Sequence, residues 1–187
     1  NADGSVDTTF TSSVFNSTIW DIRVQTDGKI LVGGQFTTLN SFSRPKIARL
    51  NADGTGDLTF SSPFGTAGTS FKVIPLADGR ILIGGRGLSV SAQPVRLNSD
   101  GSIDSTFSSP IQISAYHLDR MANGQIIVAG ERAFNNLTNI KPVYRLSADG
   151  LPDTSFQINI GLSAEGIKIF VQSDGKILVG GNFEFAG

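Results

Sequence analysis

Residues 24–34 read Val-Gln-Thr-Asp-Gly-Lys-Ile-Leu-Val-Gly-Gly, and this stretch decides the fold. Its centre, Asp27-Gly28, is a hairpin signal, read as a type I′ turn because both turn positions then need positive φ. Upstream, Trp20, Ile22 and Val24 alternate with Asp21, Arg23 and Gln25, the period of a half-buried strand. Downstream, Ile30-Leu31-Val32 is apolar on both faces, as in the middle of a stacked sheet. The pair Gly33-Gly34 suits close approach of a neighbouring sheet or a bulge. A phosphate-cradling loop would place such glycines before a helix, and no helical pattern follows.

The stretch recurs from Pro75 to Gly85, Arg120 to Gly130 and Val171 to Gly181. A second signature, Asn-Ala-Asp-Gly-Ser-Val-Asp-Thr-Thr-Phe at 1–10, recurs at Asn51–Phe60, Asn98–Phe107 and Ser147–Phe156. The period is about fifty residues, too long for leucine-rich or ankyrin repeats and in the range of propeller blades. Within each period a third strand is entered through Pro45, Pro94 or Pro142, as in Lys46–Leu50, and a short fourth ends at Phe60, Phe107 or Phe156. No helical periodicity of useful length occurs. The expected fold is all-β: β-propeller blades of four antiparallel strands in one region, 1–187, with repeats at 1–50, 51–97, 98–146 and 147–187. The last blade reads as incomplete and Asn1 as a processed or excised start, so the expectation is part of a larger ring or assembly.

Composition narrows the function classes. Lys+Arg 15 against Asp+Glu 16, with 17% charged residues, lacks the basic excess of a nucleic-acid surface. No apolar run reaches the length of a membrane-spanning helix. With 187 residues and no cysteine, neither a disulfide framework nor a thiolate metal site is possible.

The pattern Arg-Leu-Asn-x-Asp-Gly-x-x-Asp-x-x-Phe, with Val-Gln-x-Asp-Gly-Lys-Ile-Leu-Val-Gly-Gly-x-Phe between copies, resembles the delta-sixty repeat family of bacterial β-propellers. Residues 45–60 and 171–183 match best. The third repeat departs most, with Met121-Ala122-Asn123-Gly124 in the turn and Ala129 for the first glycine. The resemblance implies a propeller in a large secreted or surface protein and transfers no catalytic motif.

One constellation resembles chemistry. Asn-x-Asp-Gly-x-x-Asp is similar to the tail of a calcium loop, and calcium takes six to eight oxygens. Here Arg49, Arg96 and Arg145 stand where such a loop has its first aspartate. The expectation is that guanidinium replaces the ion, forking onto Asp57, Asp104 and Asp153 or onto loop carbonyls, with Asp53, Asp100 and Asp149 serving the turns. No cofactor is then called for.

Other candidates read as structural. His117 shares a repeat column with Asp21, Lys72 and Lys168, expected on a solvated face, and has no second histidine or nucleophile motif beside it. Trp20, Phe71, Tyr116 and Ile167 form a column expected to pack between blades rather than to stack sugars. Phe10, Phe60, Phe107 and Phe156 read as blade-to-blade core. Thr8 and Ser105 lie in Asp-Thr-Thr and Asp-Ser-Thr, which resemble a bacterial O-glycosylation motif, and Asn16 and Asn136 head N-glycosylation sequons. Loops at 37–43, 86–92, 132–140, 61–69, 108–114 and 157–165 differ between repeats and are where binding is sought.

The expected function is a non-enzymatic extracellular or cell-surface scaffold for protein or surface contacts, in adhesion or display. The alternative is a carbohydrate-binding lectin or polysaccharide-active enzyme. That alternative needs convergent carboxylates, and the glutamates Glu131, Glu165 and Glu184 do not repeat in register.

Overall fold

The computed structural model describes residues 2–88, 94–111, 113–132, 143–156, 158 and 165–182. These residues form strands and turns, with no helix among them. Blade one contains β1 (Ile19–Val24), β2 (Ile30–Gly34) and β5 (Ile47–Leu50), plus an inserted hairpin of β3 (Thr38–Leu39) and β4 (Phe42–Ser43). Blade two is β6 (Thr69–Pro75), β7 (Ile81–Arg86) and β8 (Val95–Leu97). Blade three is β9 (Ile113–Arg120), β10 (Ile126–Arg132) and β11 (Val143–Leu146), and the fourth repeat contributes β12 (Glu165–Val171) and β13 (Ile177–Asn182). All pairings are antiparallel, and each three-stranded blade keeps sequence order.

Each blade's fourth position is a single bridge, Leu50 to Gly56, Leu97 to Ile103 and Leu146 to Pro152. The next carboxylate explains why pairing stops. Asp57, Asp104 and Asp153 each accept from the N–H and the hydroxyl of the residue two places on, Thr59, Thr106 and Ser155. That local capture curls the chain away from a ladder.

The hairpin turns differ from expectation too. In the first, Gly28 N–H donates to the Gln25 carbonyl at 3.0 Å and Gln25 N–H to the Lys29 carbonyl at 2.7 Å. Gly28 has φ of 82°, and Asp27 is not in the left-handed region. This is a type I turn followed by a glycine bulge, not type I′. The aspartate instead accepts from the N–H two residues on, as Lys29 N–H donates to Asp27 Oδ1 at 3.1 Å. The one type I′ hairpin among the described residues lies in a segment read as loop: Asn40 and Ser41, φ 48° and 68°, join β3 to β4.

The core sits between blades. Leu31, Leu82 and Ile127 occupy one repeat position, and each packs with the first strand of the following blade, against Val73, Leu118 and Ile169. Full burial of each such side chain stabilises by about 1.5–3 kcal/mol. The glycine pair makes this approach possible. A Cβ on Gly33 would lie 2.8 Å from Val73 Cγ1, and one on Gly84 2.7 Å from Leu118 Cδ2. The second glycine faces a bulge in its own blade, where the register slips around Trp20, Phe71 and Tyr116. The open face of blade one is partly capped by its own chain, with Phe15 and Phe36 in edge contact at 4.6 Å over Val32, Ala48 and Leu50.

Candidate functional site

The structure joins each sequence-selected arginine to its aspartate. Arg49 Nε donates to Asp57 Oδ2 at 2.7 Å, Arg96 Nε to Asp104 Oδ2 at 2.7 Å, and Arg145 to Asp153 Oδ2 through Nε at 2.9 Å and Nη2 at 2.7 Å. The arginines come from the third strands and the aspartates from the curl after the bridge, which brings positions eight apart together. The guanidinium also crosses to the next blade: Arg49 Nη1 donates to the Ser99 carbonyl at 2.6 Å and Arg96 Nη1 to that of Ala148 at 2.8 Å. The Arg49 and Arg96 clasps therefore link a blade's outer edge to its successor's turn.

Two partners in this clasp were missed by the sequence reading. Arg49, Arg96 and Arg145 lie over the rings of Phe60, Phe107 and Phe156, with 4.7–4.9 Å from guanidinium carbon to ring centroid. The signal was available, since each of these three arginines is followed eleven residues later by a Phe. A second cation comes from the hairpin turn: Lys29 Nζ reaches Asp57 Oδ2 at 2.8 Å and Arg80 Nη1 reaches Asp104 Oδ2 at 3.2 Å. Blade three has Gln125 at this position. Burial alone would raise the Asp57 carboxyl, but hydrogen bonds from Lys29, Thr59 and Arg49 outweigh it and hold it well below the usual carboxylate range. Asp104 is held down likewise, against burial, by Thr106 and Arg96. Asp153 is lowered to about 2, by Ser155 and Arg145.

The inner strands carry a second polar row. His117 is half-buried between β9 and β12, not on a solvated face: its Nδ1 accepts from Ile169 N–H at 3.4 Å. Burial, then the charges of Lys72 and Lys168, lower its pKa to about 4. Asp21 Oδ2 accepts from Val73 N–H at 3.0 Å and lies 3.5 Å from Lys72 Nζ. The column beside it divides. Ile167 is buried and Tyr116 half-buried, whereas Trp20 is 54% exposed and so does not pack between blades as expected. The side chain of Phe71 lies outside the described residues.

Thr8 and Ser105 are exposed. Asn16 is not open to modification in this conformation, because its carbonyl accepts from the N–H groups of Thr37 and Thr38 and its amide donates to Thr37 Oγ1. Asn136, with loop 132–140 beyond Arg132, lies outside the described residues, as does most of 157–165.

The most distinctive rim feature is the blade-one hairpin. Asn40 fixes it: its N–H donates to the Val14 carbonyl at 2.8 Å and its Oδ1 accepts from Val14 N–H at 2.7 Å. Arg44 ties its base to the repeat through Nη2 to the Leu58 carbonyl at 3.4 Å. Between them lies a cleft of about 170 Å³ lined by Leu39, Asn40, Phe42, Arg44, Gly56 and Leu58. Phe42 and Leu58 are 58% and 62% exposed.

No curated protein and no solved structure matches this chain. A family model does, the beta-propeller "Domain of unknown function (DUF5122)", at residues 25–60, 76–107, 122–156 and 172–187, well over half of the chain. Three of these matches run from the hairpin turn through the clasp to its phenylalanine, the unit that Arg, Asp and Phe hold together here, and the chain belongs to this β-propeller family of unknown function.

Proposed function

We propose that this protein is a non-enzymatic binding scaffold, used outside the cell or at a bacterial surface for adhesion or display, and that it contacts a protein partner at the blade-one hairpin. The observation that carries the reading is the Phe42–Arg44–Leu58 cleft. An exposed phenylalanine and an arginine around a small concavity are residue types enriched at protein interfaces, and the exposed Leu58 adds apolar area to the same cleft. The double-positive-φ turn and the Asn40 hydrogen bonds present them on a preorganised element, which lowers the entropic cost of binding. The aspartates that recur in register are engaged by arginine, which favours a structural role for them over acid–base chemistry. The delta-sixty resemblance of residues 45–60 and 171–183 supports the secreted or surface setting.

The test is binding of labelled protein to intact bacterial cells, with and without prior protease treatment, for the wild type and for Phe42→Ser. Binding lost on protease treatment and on Phe42→Ser is the expected result. Selective glycan-array binding that Phe42→Ser leaves intact, or turnover of a polysaccharide, would overturn the reading in favour of a lectin or an enzyme.

A further inference from the structure

Blade three carries a charge that no other repeat has at the same position. Arg120 ends β9 where the other repeats have Val24, Pro75 and Val171. The residue is exposed, and its guanidinium lies over the following turn, with Nη2 3.8 Å from the place that a Cβ on Gly124 would take. The carboxylate next to it in sequence does not pair with it. Asp119 points to the other face of the strand, where its Oδ2 accepts from Val171 N–H at 2.8 Å, while its Oδ1 accepts from the Arg120 backbone N–H at 2.8 Å. Among the described residues the Arg120 guanidinium itself has no ion-pair or hydrogen-bond partner.

Arg120 borders a cleft of about 140 Å³ between the hairpin turns of blades two and three. Two further arginines line it, and both are committed. Arg80 binds Asp78 through Nε at 2.9 Å and Nη2 at 2.7 Å, and Asp104 through Nη1 at 3.2 Å. Arg96 directs Nε, Nη1 and Nη2 to Asp104, the Ala148 carbonyl and Thr106. The acids at the cleft are answered by the same two arginines, with Asp149 lying 3.8 Å from Arg96 Nη1. Arg120 is therefore the cation of this cleft that lacks a counter-ion among the described residues. Much of the remaining wall is apolar, from Leu76, Ala77, Ile126 and Ala148.

A guanidinium presents paired N–H groups that match the two oxygens of a carboxylate. One uncompensated cation suits a monoanion, whereas a phosphate group, nearly doubly charged at neutral pH, calls for a second. The apolar wall calls for an aliphatic group beside the anion. We infer that the cleft takes the C-terminal carboxylate of a peptide ending in a small aliphatic residue, with Arg120 as its anchor and the last side chain against Leu76, Ala77 and Ala148. A C-terminal residue carries both groups on one carbon, so both enter a small cleft together. An aspartate or glutamate side chain brings its carboxylate in alone. The inference is independent of the hairpin reading, because it concerns blades two and three, and Phe42→Ser is expected to leave it intact.

Two-dimensional NMR of the isotope-labelled chain, titrated with acetyl-Ala-Val carrying a free C-terminal carboxylate, tests it. Saturable shifts are expected at the Arg120 Nε–H and at the backbone amides of 76–80 and 121–124. The C-terminal amide of the same peptide is expected to bind about tenfold more weakly, the loss of one charge-assisted hydrogen-bonded contact. Arg120→Val, which installs the residue type that the fourth repeat has at this position, is expected to cause the same loss while its spectrum stays that of a folded chain. Should it impair folding, Arg120→Lys keeps the charge without the fork and is expected to bind more weakly than wild type. Shifts that do not saturate, equal binding of acid and amide, a folded Arg120→Val or Arg120→Lys that binds as wild type does, or tighter binding of acetyl-Glu-amide or of inorganic phosphate would overturn the inference.

Discussion

Arg96 and Asp104 share a 2.7 Å hydrogen bond at 2% and 6% exposure, the most deeply buried ion pair among the described residues. The remaining arginine donors are also used: Nη1 bonds the Ala148 carbonyl in the next blade and Nη2 bonds Thr106 Oγ1. Removing one member of such a pair strands the other charge. Arg96→Met is therefore expected to cost about 3–5 kcal/mol, read as a fall in Tm on the order of 10 °C. The double variant Arg96→Met, Asp104→Leu is expected to lose less than the single one, and calorimetry of the two together checks this.

The same clasp sets a metal prediction. With guanidinium bonded to the carboxylate, Tm is expected to be insensitive to millimolar calcium and to chelator. A rise of several degrees with calcium, reversed by chelator, would contradict the arginine-for-calcium reading.

Acid is expected to destabilise the protein in two stages. His117 has a folded pKa near 4 against an ordinary 6.5, so between these values the unfolded chain binds more protons and stability falls as pH drops. Protonation also removes the Nδ1 acceptor used by Ile169 N–H. His117→Asn is expected to flatten Tm against pH between 6.5 and 4. Below the ordinary carboxylate range Asp57 and Asp104 take over. Their folded pKa values are depressed, so their contribution is fully present above the unfolded value and is lost as pH falls toward the folded one. Asp104→Asn is expected to lower Tm at pH 7 far more than at pH 2.

Glycine substitutions are expected to separate a formed junction from an open one. Gly84→Ala places a methyl 2.7 Å from the Ala115 carbonyl and from Leu118, and overpacking of this kind costs about 1–3 kcal/mol. Gly180→Ala meets no atom of the described residues within 4 Å, and its Tm is expected to match wild type.

At the hairpin, Asn40→Ala removes the Oδ1 acceptor for Val14 N–H and the residue type best suited to φ of 48°. A loss of about 1–2 kcal/mol is expected. Amide exchange that quickens in residues 13–16 and 37–43, ahead of the blade strands, is the measurement that checks it.

Much of this protein was legible in the order of its residues, because the information was local and repeated. Strand alternation, Asp-Gly turns, the glycine pair and the Arg-to-Asp spacing each act over a few residues, and recurrence of the period made a propeller arc the simplest reading. Tertiary structure decided what depends on distant groups or on competition between bonds. Asp-Gly turns are type I with a glycine bulge because the aspartate prefers to cap the following N–H. The fourth strand shrinks to a bridge because Asp57 and its equivalents capture the chain locally. Phe60 lies beneath Arg49, His117 is shielded by the next blade, and Trp20 is left exposed, because burial belongs to a junction between repeats. A column of equivalent residues has one sequence pattern but several environments, and only packing against a neighbour distinguishes Val73, enclosed by blade one, from Ile22, which presents the same kind of side chain to solvent.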